Sequence, residues 1–434
     1  MNAFFEIAYA AASGRLCFFT GTGFSKAISN DAAPGWQALL EGMCARLQDP
    51  LRLRSALFPQ GSPNPLPLEE AAQVIELEFS RDGRSLHDEI AAYVARVKLA
   101  GDNTAITGFL AGRSFDVVTT NYDKLLEQLV GVATCHSIAP GLPIPRSHAA
   151  VRVYHVHGSI DSPRQMVVTS DNYFRFLNSD SYFSKKLSTI LHESTVVILG
   201  YSLGDTNLKS ILSGYKGFSG SDFIGGNIFF VSKHPVAQHI KDYYAHSFGI
   251  RVLDQLAVHS FFQQVNSAMD AAQKCAEPSR ENIHKVLYEG HSFTDAYLRV
   301  ETSFFEIVAS ISAIGIGINS ANVVELIGRI IEKKTAFTRE YNAWDQYTHL
   351  ARWLLHLSCI IELHGSSIEA TFLSATLRSM TTMSSTTRRG YSWYAYQAWL
   401  HGWSNVMPAN RSLIRGYITA NTDKADAIVV VHSV

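Results

Sequence analysis

Short β-rich runs, each ending in a glycine or a polar turn, recur along the first part of the chain: residues 16–20, 116–120, 151–157, 195–200, 227–232 and 250–254. Runs this short and this apolar suit strands buried on both faces, as in a parallel sheet. Helix-period stretches separate them; in one, Leu68, Ala71, Ala72, Ile75 and Phe79 fall on a single face. Alternating strands and helices predict an α/β domain with a Rossmann-like, mainly parallel sheet covered by helices on both sides. Residues 61–67, with three prolines, form a loop that opens a helical insertion.

A chain of 434 residues has room for more than one domain. The strand signal stops after Asp254, and residues 274–280, which include a proline, read as a linker. This divides the chain into an α/β domain over residues 1–270 and an all-α C-terminal domain over residues 281–434. In the second, Tyr396, Trp399 and Trp403 share one helical face, which predicts a packed aromatic stripe rather than a ligand box. Residues 427–431 predict a short final strand. Lys plus Arg number 37 against 38 acidic residues, so no overall field draws the chain to nucleic acid or anionic lipid. An anionic ligand must therefore be held locally. The five cysteines lack zinc-knuckle spacing, which argues for a reducing compartment and no structural metal. The apolar run 307–318 falls short of the ~20 residues that cross a bilayer, and the N-terminus reads as a folded helix rather than a leader. A cytoplasmic protein without a membrane segment is expected.

Chemistry-bearing residues gather at the ends of these runs. Thr20-Gly21-Thr22-Gly23-Phe24-Ser25 follows the first run; its glycines would let backbone approach a pyrophosphate, though a tight strand-to-helix turn capped by Ser25 explains them equally. Thr119-Thr120-Asn121-Tyr122-Asp123 follows the second, where helix capping competes with a ligand role. In Tyr154-His155-Val156-His157-Gly158, His157 sits at the carboxyl end beside a glycine turn and is the better catalytic candidate; His155 is expected to act through packing. Gly200-Tyr201-Ser202-Leu203-Gly204-Asp205 offers a hydroxyl and a carboxylate suited to ribose, and Ser232 ends a later run. Polar turns at the carboxyl ends of successive strands describe one cleft.

Taken in order, these motifs, with Pro34-Gly35-Trp36 and Leu39-Leu40, resemble the prokaryotic sirtuin-like NADases of anti-phage defence, over about residues 14–265. The resemblance implies that Gly21, Thr22, Gly23 and Ser25 line a site for NAD+, and that Asn121 and His157 are the catalytic pair. It implies that Asp123 shapes the nicotinamide-ribose pocket, that Gly200, Ser202 and Asp205 contact ribose, and that Ser232 lies near the adenosine half. The four-cysteine zinc module of protein-deacylating sirtuins is missing, as is their arginine-containing segment after the glycine turn.

NAD+ is then the substrate, no metal is needed, and cleavage of the nicotinamide–ribose bond is the leading reading. Protein deacylation through the same intermediate and a non-catalytic NAD or ADP-ribose sensor are the alternatives. The helical part, about residues 281–420, is expected to mediate homo-oligomer assembly and control, with a HerA-like ATPase as a possible second defence protein.

Overall fold

A computed structural model describes residues 3–131, 133–143, 149–178, 182–202, 228–313, 316, 318, 320–381 and 393–433. Among them, seven strands form one all-parallel sheet: β1 (Leu16–Thr20), β2 (Phe115–Thr119), β3 (Cys135–Ile138), β4 (Val151–His155), β5 (Thr195–Leu199), β6 (Ile228–Val231) and β7 (Ile250–Leu253). Their order is β3-β4-β2-β1-β5-β6-β7. Chain order reverses between β1 and β5, so a crevice opens at their carboxyl ends, where ligands of open α/β sheets bind. Alternation along β1 shows how both faces are covered. Leu16 and Phe18 pack against helices Ala3–Ala12, Thr104–Leu110 and Val258–Tyr288, while Cys17 and Phe19 join Phe183, Ile190 and Tyr244 on the other side.

The helical insertion begins before the loop at residues 61–67, with Trp36–Cys44 and Pro50–Leu57, and continues after it with Leu68–Arg81 and Leu86–Val94. Ala71, Ala72, Ile75 and Phe79 are buried on the predicted face and join a small core with Tyr122, Met166 and Val168. That core ties the insertion to the polar loops beyond β2 and β4.

Four expectations change. β3 was not predicted: its four residues, Cys-His-Ser-Ile, are half-buried apart from Ile138 on an edge of the sheet, so they lack the apolar run that marks its neighbours. The strand expected over 151–157 stops pairing at His155. Residues 274–280 are no linker but part of the helix Val258–Tyr288. That helix lies along Ala3–Ala12 and touches Ser303–Ala313, and this packing outweighs the backbone hydrogen bond lost at Pro278. The final run is a helix, Ala425–Val431, because Ala427, Val430 and Val431 bury one helical face in the second core.

That second core is built by the helices from Ser303 onward together with Ile283 and Val286 at the end of Val258–Tyr288 and Leu298 of the helix Asp295–Arg299. Trp353, Trp399 and Trp403 are fully buried in it and Tyr396 packs at its edge, so the aromatic stripe is a core. The sheet and the helical part meet through Tyr9 Oη and Ser310 Oγ, 2.8 Å apart, the Arg411–Asp242 ion pair, and Gln238 donating to the Ser404 carbonyl.

Candidate active site

The crevice is built from glycines that interlock. Gly21 N–H donates to the Leu199 carbonyl and Gly23 N–H to the Gly200 carbonyl, both at 2.9 Å. A Cβ at Gly23 would lie 2.8 Å from the Gly200 Cα, and one at Gly200, where φ is +76°, would lie 2.1 Å from the Phe24 nitrogen. The turns after β1 and β5 can approach this closely only without side chains. These two N–H groups are therefore engaged by the neighbouring turn, and the glycines act through shape.

Ser25, on the helix Thr22–Ile28, projects from this turn to the loop after β2. Its Oγ donates to Asp123 Oδ2 at 2.8 Å and accepts from Asn121 Nδ2 at 2.8 Å. Asp123 Oδ1 takes the Leu125 N–H at 3.1 Å. Burial pushes the Asp123 carboxyl up, against the lowering effect of its Ser25 and Leu125 bonds. The direction of this relay fixes the Asn121 amide: its NH2 faces Ser25, which leaves Oδ1 as an acceptor.

Gly158, with φ at +83°, turns the chain just past β4, and the Val167 N–H donates to the His157 carbonyl at 2.8 Å. His157 is thereby held at the cavity wall. Its ring meets Tyr173 and Phe176 edge-on, with centroids 5.4 and 5.0 Å away. Burial lowers its pKa to about 4, so the imidazole is neutral at pH 7 and able to accept a proton.

Thr22, Ser25, Asn121, Asp123, His157, Gly200 and Ser202 all line one cavity of about 300 Å³, roofed by Pro34, Trp36 and Val94 from the insertion. Ser232 is not brought to it; its Oγ donates to the His234 carbonyl at 2.8 Å and closes its own turn at the end of β6. Asp205 lies outside the described residues. Among the described residues no cluster of His, Cys, Asp or Glu has the arrangement of a metal site, and no helix is long and apolar enough to cross a membrane.

Three contributors escaped the sequence reading. Tyr201 stacks on Phe19, and its Oη lies 2.6 Å from Thr120 Oγ1, joining the loops after β5 and β2. Its place inside the Gly200 turn was a usable signal. Tyr173 reaches the cavity from the helix Ser170–Asn178, far from any motif. Glu127, in the first turn of the helix Leu125–Val130 that follows the Asn121 loop, binds His155 rather than solvent.

Comparison with known proteins places residues 116–253 in a match to the family model described as a SIR2-like domain. The chain is similar to "Defense-associated sirtuin 2" of Bacillus subtilis, 20% identical over 275 residues, covering 61% of this chain and 26% of that protein. It is also similar to "NAD(+) hydrolase ThsA" of Cytobacillus dafuensis, 32% identical over 111 residues (24% of this chain, 22% of that protein). The ThsA of Enterococcus faecium is 35% identical over 101 residues, 22% of this chain and 21% of that protein. The matches thus span about a quarter of each relative's length.

Proposed function

From the premise that this chain carries a sirtuin-like domain akin to those of defence-associated sirtuins and NAD+ hydrolases, we propose that it hydrolyses NAD+ to nicotinamide and ADP-ribose. The observation that carries this reading is the Ser25–Asn121–Asp123 relay facing a neutral His157 across one cavity. The nicotinamide riboside half of NAD+ suits a cavity of about 300 Å³, and the remainder would extend along the crevice past Thr22, Gly200 and Ser202.

In this reading nicotinamide leaves with the electron pair of its bond to the ribose carbon C1′, and positive charge develops on the ribose. The buried Asp123 carboxylate stabilises that charge, and Asn121 Oδ1 orients the attacking water without adding charge of its own. As the water oxygen bonds to C1′, its proton passes to the His157 imidazole, directly or through a ribose hydroxyl. Nicotinamide departs neutral, and ADP-ribose keeps the water oxygen.

We assign the domain division to the junction within Val258–Tyr288, and assembly to the helical part. Exposed Tyr341, Trp344 and Tyr394 on that part support a homo-oligomer, and a HerA-like ATPase is the second component the resemblance suggests. NAD+ depletion in anti-phage defence is the corresponding biological role.

The test incubates the full chain with NAD+, with and without an acetylated peptide. Nicotinamide and ADP-ribose should appear in equal amounts without peptide and be lost in Asn121→Ala. Turnover that requires the peptide, with a deacylated product, would overturn the reading in favour of a deacylase.

A further inference from the structure

His155, two residues before His157, has a different environment. It ends β4 opposite Thr119 of β2 and is 1% exposed. Its Nδ1 lies 2.9 Å from the Asn121 carbonyl oxygen and its Nε2 lies 2.7 Å from Glu127 Oε1. A carbonyl oxygen can only accept a hydrogen bond. Glu127, on the helix Leu125–Val130, is an acceptor as well: burial pushes its carboxyl up, but the bonds from His155 and Lys124 outweigh this and leave it at about 2. Lys124 Nζ sits 2.9 Å from the same Oε1. Two acceptors flanking one imidazole are both satisfied only when both ring nitrogens carry hydrogen.

We propose that His155 is a doubly protonated positioning residue: anchored by Glu127, it donates to the Asn121 carbonyl and so fixes the loop that presents the Asn121 amide. His155 does not line the cavity and touches no reacting atom. The charged groups around it are Glu127, Lys124 and Asp123, with Asp161 bound to Lys124 at 2.8 Å. Among the described residues Glu127 Oε2 has no partner, so the carboxylate spends its bonds on His155 and Lys124 through Oε1. Removing one member of such a buried pair strands the other. The consequence for turnover rests on the NAD+ reading above; the protonation state and the order of the loop do not.

The experiment uses the full chain labelled with 15N-histidine at pH 7, with the His155→Phe spectrum assigning the His155 signals. Both ring nitrogens should be protonated in the wild type. In Glu127→Gln the amide can donate to Nε2, so the chain of bonds survives with one proton fewer. One nitrogen should lose its hydrogen, while hydrogen exchange over residues 119–123 stays at the wild-type rate. His155→Phe keeps a ring but loses both donors, so exchange over 119–123 should accelerate and kcat should fall about 10–100-fold with KM within about threefold. A singly protonated His155 in the wild type overturns the proposal, as does unchanged exchange in His155→Phe. If the wild type cleaves no NAD+, the hydrolase reading alone fails, because the nitrogen and exchange measurements still decide this one.

Discussion

The sheet and the helical part each bury a histidine whose pKa is driven down to about 4, His157 in the first and His356 in the second. Burial is the dominant cause in both. Their surroundings differ. His356 packs edge-on against Phe304 and Phe305, and its nearest acid is Glu6, 3.7 Å away and itself held by Arg251. His356 lines the junction cavity with no hydrogen-bond partner for its Nε2 among the described residues, whereas His157 shares its cavity with an amide, a hydroxyl and a carboxylate whose hydrogen bonds orient one another. Lys334 makes the same point for the helical part: burial lowers it to about 7, yet its ammonium donates to the Leu298 carbonyl at 2.9 Å and sits 4.1 Å from the centre of the Trp353 ring. A perturbed pKa marks burial in both regions, and only oriented partners around open space mark chemistry.

The widest separation should come from alanine substitution at the two histidines. Asn121→Ala and His157→Ala should each lower kcat about 10²–10⁴-fold while thermal unfolding stays near wild type. His356→Ala should do the reverse, lowering Tm and leaving kcat within about twofold, because it lines the junction cavity and not the one that holds Asn121 and His157. A His356→Ala chain that folds but has lost turnover would erase the distinction.

Ser25→Ala sharpens it by a smaller amount. The substitution removes the bond that turns the Asn121 amide and one donor to Asp123, so a loss of about tenfold in kcat is expected, in line with one buried hydrogen bond of ~1–1.5 kcal/mol. Steady-state rates would show it, and a change confined to KM would mean that Ser25 only binds.

Acid should affect both regions alike, through stability. The folded pKa of each histidine lies below the ~6.5 of an unfolded chain, so between pH 6.5 and 4 the unfolded state binds protons that the folded state does not. Stability present above pH 6.5 is therefore lost as pH falls toward 4. Tm measured from pH 7.5 to 5 should drop, and His356→Leu should flatten the slope. An unchanged slope would show that His356 does not carry the share assigned to it.

The sheet was legible in the sequence because strands buried on both faces, such as Val-Val-Ile-Leu before Gly200, leave continuous apolar runs, whereas Cys135–Ile138 on the edge leaves none. The helix Ala425–Val431 was misread because Ile428 and the three valines after it form a β-favouring run, and only the surrounding helices make the helical face worth burying. At the cavity, Ser25, Asn121, Asp123 and His157 were legible because each lies within a few residues of the carboxyl end of a strand. Their mutual hydrogen bonds were not, since they depend on how the turns after β1 and β2 meet across the sheet. His155 was expected to act through packing, and its two polar partners at 2.9 and 2.7 Å come from different elements of the fold.

The two regions also offer competing spaces for a dinucleotide. One is the cavity beside Asn121 and His157; the other, about 470 Å³, lies at the junction and is lined by Lys241, Arg251 and Arg352. A structure of the His157→Ala chain with NAD+ bound decides between them. The account predicts the nicotinamide ribose against Asn121 and Ser25, with the diphosphate running past Gly200; NAD+ seated at the junction, with the Asn121 cavity empty, would contradict it.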